Sequence, residues 1–163
     1  MAQTKQDLDN FYTMSDPWGY ETNKWDELRK DFIVTTARKY CPLGAKVLDI
    51  GCGEGFITKD LPGNLYGIEL SNVAAARLPD KIRRIERPLS KYELVVACGV
   101  LYEQYDYEHM HKLILKAIAT GGYVITCNIW DWEINQLPRD KMVEVKFFPY
   151  REYQQVLRVY RWV

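Results

Sequence analysis

An α/β fold built on a doubly wound, mostly parallel sheet is predicted by three features of the sequence. A short buried-strand pattern, Lys46-Val47-Leu48-Asp49-Ile50, runs straight into a glycine-rich turn, Gly51-Cys52-Gly53-Glu54-Gly55. Strand and helix patterns then alternate as far as Cys127, the arrangement that produces βαβ units. Beyond Pro138 apolar and polar residues alternate through two runs with no helix between them, as an antiparallel hairpin requires.

Each element has its own signal. Asn23 is placed to cap a helix to about Lys39, because Trp25, Leu28, Phe32 and Thr36 recur at helical spacing while Lys24, Asp26, Glu27 and Lys30 face elsewhere. Cys41-Pro42-Leu43-Gly44 stops it before the first strand. After the glycine turn a helix is expected over Phe56 to Leu61, and Pro62-Gly63-Asn64 ends it. Leu65 to Glu69 reads as the second strand, Asn72 to Leu78 as a short helix, and Lys81 to Ile85 as the third strand. The fourth strand, Glu93 to Ala97, follows so closely that the helix between them is degenerate or absent. Met110, Leu113, Ile114, Ala117 and Ile118 line one face of a helix over Tyr107 to Ala119, with Gly121-Gly122 ending it before the strand Tyr123 to Cys127. Val143, Val145 and Phe147 alternate with Glu144 and Lys146, and a second β-rich run covers Gln155 to Trp162.

Composition narrows the function. The chain has 163 residues, enough for one domain, and 22 basic against 22 acidic side chains give no net charge. The long-range attraction that binding to a phosphate backbone needs is therefore missing, which argues against a nucleic-acid partner. Residues 81–91 are locally basic, a pattern that suits a solvated edge better than an RNA site. The first fifteen residues lack the cationic and apolar regions of a signal peptide, and no stretch approaches the roughly 18 apolar residues of a membrane span. Cys41, Cys52, Cys98 and Cys127 are too scattered for a zinc site or a disulfide framework. The expectation is a cytoplasmic protein with reduced thiols, no metal and no membrane contact.

The ligand follows from the carboxylates. In a doubly wound sheet the glycine turn faces the ligand at the carboxyl ends of the strands. A dinucleotide pyrophosphate there would meet Asp49 and Glu54, and a like-charge pair at 4 Å costs about 4 kcal/mol near a protein surface. S-adenosyl-L-methionine has no phosphate, and its sulfonium and ammonium suit these acids. Glu69, ending the second strand, is placed to accept ribose hydroxyls through its two oxygens, although sites for NAD also use an acid there.

Val47 to Gly55 resembles the first motif of the class I S-adenosylmethionine-dependent methyltransferases. Leu65-Tyr66-Gly67-Ile68-Glu69-Leu70-Ser71 resembles the second, Tyr92 to Ala97 through Leu101-Tyr102 the fourth-strand motif, and Gly121 to Ile125 the approach to the fifth strand. The resemblance implies a Rossmann-like class I methyltransferase fold: a seven-stranded, mostly parallel sheet ending in an antiparallel hairpin, with a short N-terminal helical lid. It implies one methyltransferase domain over 1–163, divided into lid and helix (1–45), cofactor core (46–128) and hairpin (138–163). It further implies that Asp49, Gly51 and Gly53 surround the methionine part, that Glu69 and Leu70 hold ribose and adenosine, and that the link Glu86-Arg87-Pro88-Leu89 passes the adenine. Cys52 and Cys98 are expected beside the cofactor as fillers of small spaces near the glycine turn and the fourth strand, not as nucleophiles. Asp16-Pro17-Trp18-Gly19-Tyr20 and the following helix, with Trp25, Glu27 and Arg29, are loosely similar to the amino-terminal segment of nodulation-type N-methyltransferases, which act on an amino sugar. Those relatives often carry Glu where this chain has Gly99.

The expected activity is methyl transfer from S-adenosyl-L-methionine to an amine or hydroxyl of a small molecule or sugar, releasing S-adenosyl-L-homocysteine. The alternative is a protein that binds these compounds without turnover. Such a transfer mainly needs alignment and exclusion of water. If a base is used, Tyr102, Glu103, His109 and His111 follow the fourth strand, and Asn128 and Asp131 the fifth. Tyr102 leads these, against the reading in which it only packs; the two histidines also read as part of a solvated helix face. Trp18 and Tyr20 either close over the cofactor, with an aromatic face near the sulfonium, or staple the segment to the sheet. Trp130 and Trp132 either wall the acceptor pocket or pack on the hairpin. With no inserted cap, the pocket is shallow, completed by a second subunit as a homodimer, or made for the end of a larger molecule.

Overall fold

The computed structural model describes all 163 residues. Seven strands, β1 (Lys46–Ile50), β2 (Asn64–Ile68), β3 (Ile82–Arg84), β4 (Tyr92–Cys98), β5 (Ile118–Ile129), β6 (Met142–Tyr150) and β7 (Tyr153–Arg161), form one sheet in the order β3-β2-β1-β4-β5-β7-β6. The first five are parallel, β7 runs antiparallel to β5, and β6 is antiparallel to β7. The helices are α1 (Lys5–Phe11), α2 (Lys24–Tyr40), α3 (Asn72–Ala75) and α4 (Tyr107–Ala117). No helix is long and apolar enough to cross a membrane.

Leu94, Val95, Val96 and Ala97 show why the central strands are apolar without alternation, since both faces of the sheet are covered. Leu48, Ile50, Val95 and Ala97 pack towards Leu113, Ile114 and Ala117 of α4. Val47, Leu94, Val96 and Ile125 pack towards Ile33, Val34 and Ala37 of α2. The chain passes from β1 to β2 on one side and pairs β1 with β4 on the other, so the strand order reverses there. Above the carboxyl ends of β1 and β4 this reversal opens the crevice where ligands of such sheets bind.

Residues 85–91 contain no helix, as their short span predicts. Three expectations are corrected. The helix over 56–61 is only a 3-10 turn, Thr58–Asp60, because Leu61 must be extended before Pro62 and too few residues follow Gly55. The fourth helix stops at Ala117 and β5 begins at once, so Gly121-Gly122 is no helix cap. These glycines lie in β5 where its register against β4 slips between Tyr92 and Leu94, and a side chain at Gly122 would press on the Glu93 carbonyl. The buried residues of α2 are Asp26, Arg29, Ile33, Val34, Thr36 and Ala37; of the expected stripe Thr36 is buried, Leu28 and Phe32 are half-buried against the core, and the face is turned so that the charged Asp26 and Arg29 point inwards. Helix α1 lies outside the elements that periodicity predicts; it starts at a capping box in which Thr4 and Asp7 satisfy each other's backbone N–H.

Candidate functional site

A cavity of about 1050 Å³ opens at the carboxyl ends of β1, β2 and β4. Its floor is the glycine turn. The amides of Gly51 and Cys52 both donate to the Ile68 carbonyl, at 2.8 and 3.1 Å, tying the turn to β2. Gly51 has φ +76°, and a Cβ there would collide with the Val100 side chain. Gly51→Ala is therefore expected to cost about 2 to 4 kcal/mol, combining backbone strain with overpacking. Thermal denaturation checks this, with a fall of at least about 4 °C expected for a chain of this length.

Two buried carboxylates stand at this floor. Asp49 accepts a hydrogen bond from Thr58 Oγ1 at 2.7 Å. Burial pushes its carboxyl up to about 7; the Thr58 hydroxyl opposes this and the Glu69 charge adds to it. Glu69 binds the turn itself, its Oε2 accepting from Gly53 N at 2.8 Å and its Oε1 from Ser71 N at 3.0 Å. Burial raises the Glu69 carboxyl too, against the pull of these two donors. Each oxygen keeps a further lone pair for a ligand.

Arg29 brings the opposite charge. It is buried, lines the cavity and lies over the Tyr20 ring at 5.1 Å. Its one ion pair runs from Nε to Asp26 Oδ1 at 3.3 Å, and this Nε has no hydrogen-bond partner. Asp26 also accepts from Tyr150 Oη at 2.7 Å. Nη1 lies beside Gly99, where even a Cβ would stay 3.5 Å from it. A buried guanidinium with free donors in a cavity is suited to a carboxylate.

The segment before α2 closes the cavity. Trp18 Nε1 donates to Tyr12 Oη at 3.2 Å, Phe11 and Trp18 pack at 4.4 Å between centroids, and Trp18 stacks on Tyr20 at 6.2 Å. Ser71 Oγ donates to Asp9 at 2.7 Å, and the Asp16 amide donates to Glu54 at 2.8 Å. Arg77 pairs with the same Glu54 at 3.1 Å. Glu54 is thus a neutralised anchor for this segment, and the second free carboxylate at the floor is Glu69.

Of the cofactor residues expected from sequence, Asp49, Gly51, Cys52, Gly53, Glu69, Leu70, Glu86, Cys98, Trp18 and Tyr20 all line the cavity. Leu89 does not; it sits in a link with no strand or helix to turn it inwards, and its side chain is 70% exposed. Among the catalytic candidates only His109 reaches the wall. Tyr102 is buried behind it and its hydroxyl accepts from Ile129 N at 2.7 Å, while Glu103 is exposed and off the wall. His111 accepts from Gln136 N through Nε2 at 2.9 Å and so donates through Nδ1 to the Tyr107 carbonyl, a structural arrangement. Asn128 is buried and bonded to Glu133, and Trp130 and Trp132 pack on Phe147 and Tyr153 of the hairpin. Arg29, Tyr12 and Tyr105 line the cavity as well, and sequence reasoning misses all three as site residues. For Arg29 the sequence offers its place in the segment similar to the nodulation-type N-methyltransferases and its i, i+3 spacing from Asp26, neither of which assigns it to the site.

No protein-family model matches the sequence, and no curated protein sequence matches it. Solved structures do. The N-methyltransferase NodS from Bradyrhizobium japonicum WM9, in complex with S-adenosyl-L-homocysteine, is 19% identical with TM-score 0.79 over 96% of this chain and 97% of its own. Magnesium protoporphyrin IX methyltransferase from Synechocystis PCC 6803, with bound S-adenosylmethionine, is 13% identical with TM-score 0.71 over 100% and 99%. The cyclase SpnF is 12% identical with TM-score 0.73 over 99% and 97%. The fold is that of the class I methyltransferases, and it is shared by a protein named for a different reaction.

Proposed function

We propose that the chain is a methyltransferase that uses S-adenosyl-L-methionine and methylates an amine or hydroxyl of a small molecule or sugar. The reading rests on one observation: buried Arg29, with free donors, shares the cavity wall with the buried carboxylates Asp49 and Glu69. A dinucleotide would bring phosphates to those two acids. An adenosyl amino acid instead matches Arg29 with its carboxylate, Asp49 with its positive groups and Glu69 with its ribose hydroxyls. When bound, the cofactor supplies a methyl carbon activated by a positive sulfur and leaves as S-adenosyl-L-homocysteine. The chain's task is then to hold that methyl facing the acceptor and keep water out, which the aromatic segment Tyr12, Trp18 and Tyr20 performs. The whole chain acts as one domain, with residues 1–45 as lid, 46–128 as core and 138–163 as hairpin.

Calorimetry with S-adenosylmethionine, S-adenosylhomocysteine and NAD tests the ligand, and transfer of labelled methyl to amino sugars and small amines tests the reaction. Binding of the first two alone is expected, and binding of NAD alone would refute the assignment. A second reading, cofactor binding without turnover, is favoured by the positions of Tyr102 and Glu103 off the cavity wall and by Gly99, which offers no side chain. Tight binding with no transfer to any acceptor would select it.

Asp49 adds a pH signature. With its carboxyl at about 7, it holds a proton between pH about 4 and about 7 that the unfolded chain has lost. Its contribution to stability therefore falls as pH rises through that window. A cationic ligand favours the carboxylate, so binding at pH 6 is expected to release up to one proton from Asp49 and affinity to rise towards pH 7. Calorimetry in buffers of different ionisation enthalpy reads the release, and Asp49→Asn should remove that share of it. Equal proton release by the two proteins would exclude Asp49 from the site.

A further inference from the structure

The two edges of the sheet are built differently. β3 is three residues long, follows exposed Lys81 and carries exposed Arg83 at its centre, a blunted edge. β6 is nine residues long and has no neighbour on its outer side; its ladder with β7 is regular from Glu144 to Tyr150 and bulges between Met142 and Glu144. Between β5 and β6 the chain forms only a 3-10 turn, Arg139–Lys141, so no helix covers one face of β6. On that face Val143, Val145 and Phe147 are 51%, 44% and 50% exposed, and Trp130, 48% exposed, packs edge-on against Phe147 at 5.2 Å. The other face is occupied: Phe148 stacks on Phe32 at 4.4 Å, and Glu144 accepts from Tyr40 Oη at 2.6 Å and pairs with Lys39 and Lys146, each at 3.2 Å.

The hydrogen-bond phase of this edge follows from the hairpin. Tyr150 and Tyr153 close a two-residue turn and form a hydrogen-bonded pair, so Phe148 and Lys146 turn their amides towards β7. The backbone donors and acceptors of Val145 and Phe147 therefore point outwards. Pro149, which has no amide, stands beyond them next to the turn.

We infer that β6 pairs antiparallel with β6 of a second copy of this chain, about a two-fold axis at Val145. A two-fold axis normal to the sheet preserves its faces, so only registers that oppose residues of like parity are allowed. Centred on Val145, the register sets Glu144 against the second copy's Lys146 and Lys146 against its Glu144. On the open face it sets Val145 against itself, with Phe147 facing the bulged end of the second strand at Val143, and so extends the apolar stripe. A shift of the centre to Glu144 stacks Glu144 on Glu144, and a shift to Lys146 stacks Lys146 on Lys146, both repulsive. Pro149 falls opposite Lys141, outside the strand overlap. The pairing does not depend on the methyltransferase reading.

Charge exchange tests it. Size-exclusion chromatography with light scattering should give the wild-type chain twice its 19.2 kDa mass. Glu144→Lys and Lys146→Glu each place like charges opposite one another twice, and each protein should run as a monomer with a native circular dichroism spectrum. When the two variants are mixed in equal amounts, the first carries lysine at both positions and the second glutamate at both. Both contacts between unlike chains then become attractive, and a dimer should return. A monomeric wild type, single variants that remain dimeric, or a mixture that stays monomeric would each overturn the pairing.

Discussion

Glu69→Ala is expected to weaken S-adenosylmethionine binding by on the order of a hundredfold or more. The side chain does two jobs at once. Its oxygens fix the glycine turn through the amides of Gly53 and Ser71, at 2.8 and 3.0 Å, and their remaining lone pairs face the cavity. Hydrogen bonds to a charged group contribute roughly 1.5 to 3 kcal/mol each, so loss of two to a ribose removes about 3 kcal/mol or more. Alanine also leaves two backbone donors without their acceptor, and a lower melting temperature should accompany the loss. Glu69→Gln separates the effects: it retains an acceptor for one amide and recovers part of the stability, while binding stays weak because the charge is gone. Calorimetry on both variants makes the comparison, and wild-type affinity in folded Glu69→Ala would remove Glu69 from the ligand site.

The floor of the site is legible in the sequence because glycine and acid at the end of a strand leave few alternatives. Asp49, the turn and Glu69 all reach the cavity from signals within Val47 to Ser71. The adjacent helix is legible as a helix but not in its orientation. Its buried face carries Asp26 and Arg29, and a reading that assigns charge to solvent turns that face outwards. Such a pair enters the interior only because each partner compensates the other, which periodicity alone does not reveal. Gly121-Gly122 misleads for a related reason: the same residues that stop a helix also permit a strand bulge, and the partner strand decides between them. Tyr102 illustrates the limit at the catalytic end. Its place just beyond β4 is predictable, but its direction depends on a bond to Ile129, 27 residues later in the chain.

The Asp26–Arg29 pair also yields the sharpest test of the site. Arg29→Met should abolish measurable cofactor binding and destabilise the fold, because Asp26 would remain buried with only Tyr150 as partner. Removing one member of a buried pair costs about 3 to 5 kcal/mol, which lowers the melting temperature by roughly 6 °C or more in a chain of this length. A loss of binding in that variant alone would be ambiguous, since a loosened α2 also disturbs the cavity. The double variant Asp26→Asn with Arg29→Met resolves it. The asparagine can still accept from Tyr150, no charge is left buried, and stability should return most of the way to wild type. If Arg29 holds the carboxylate of the cofactor, binding stays lost in the restored protein. Arg29→Lys then keeps the charge without the planar fork, and an intermediate affinity is expected. Wild-type binding by the double variant would mean that Arg29 serves only to balance Asp26, and the charge match at the heart of the proposed function would rest on the two carboxylates alone.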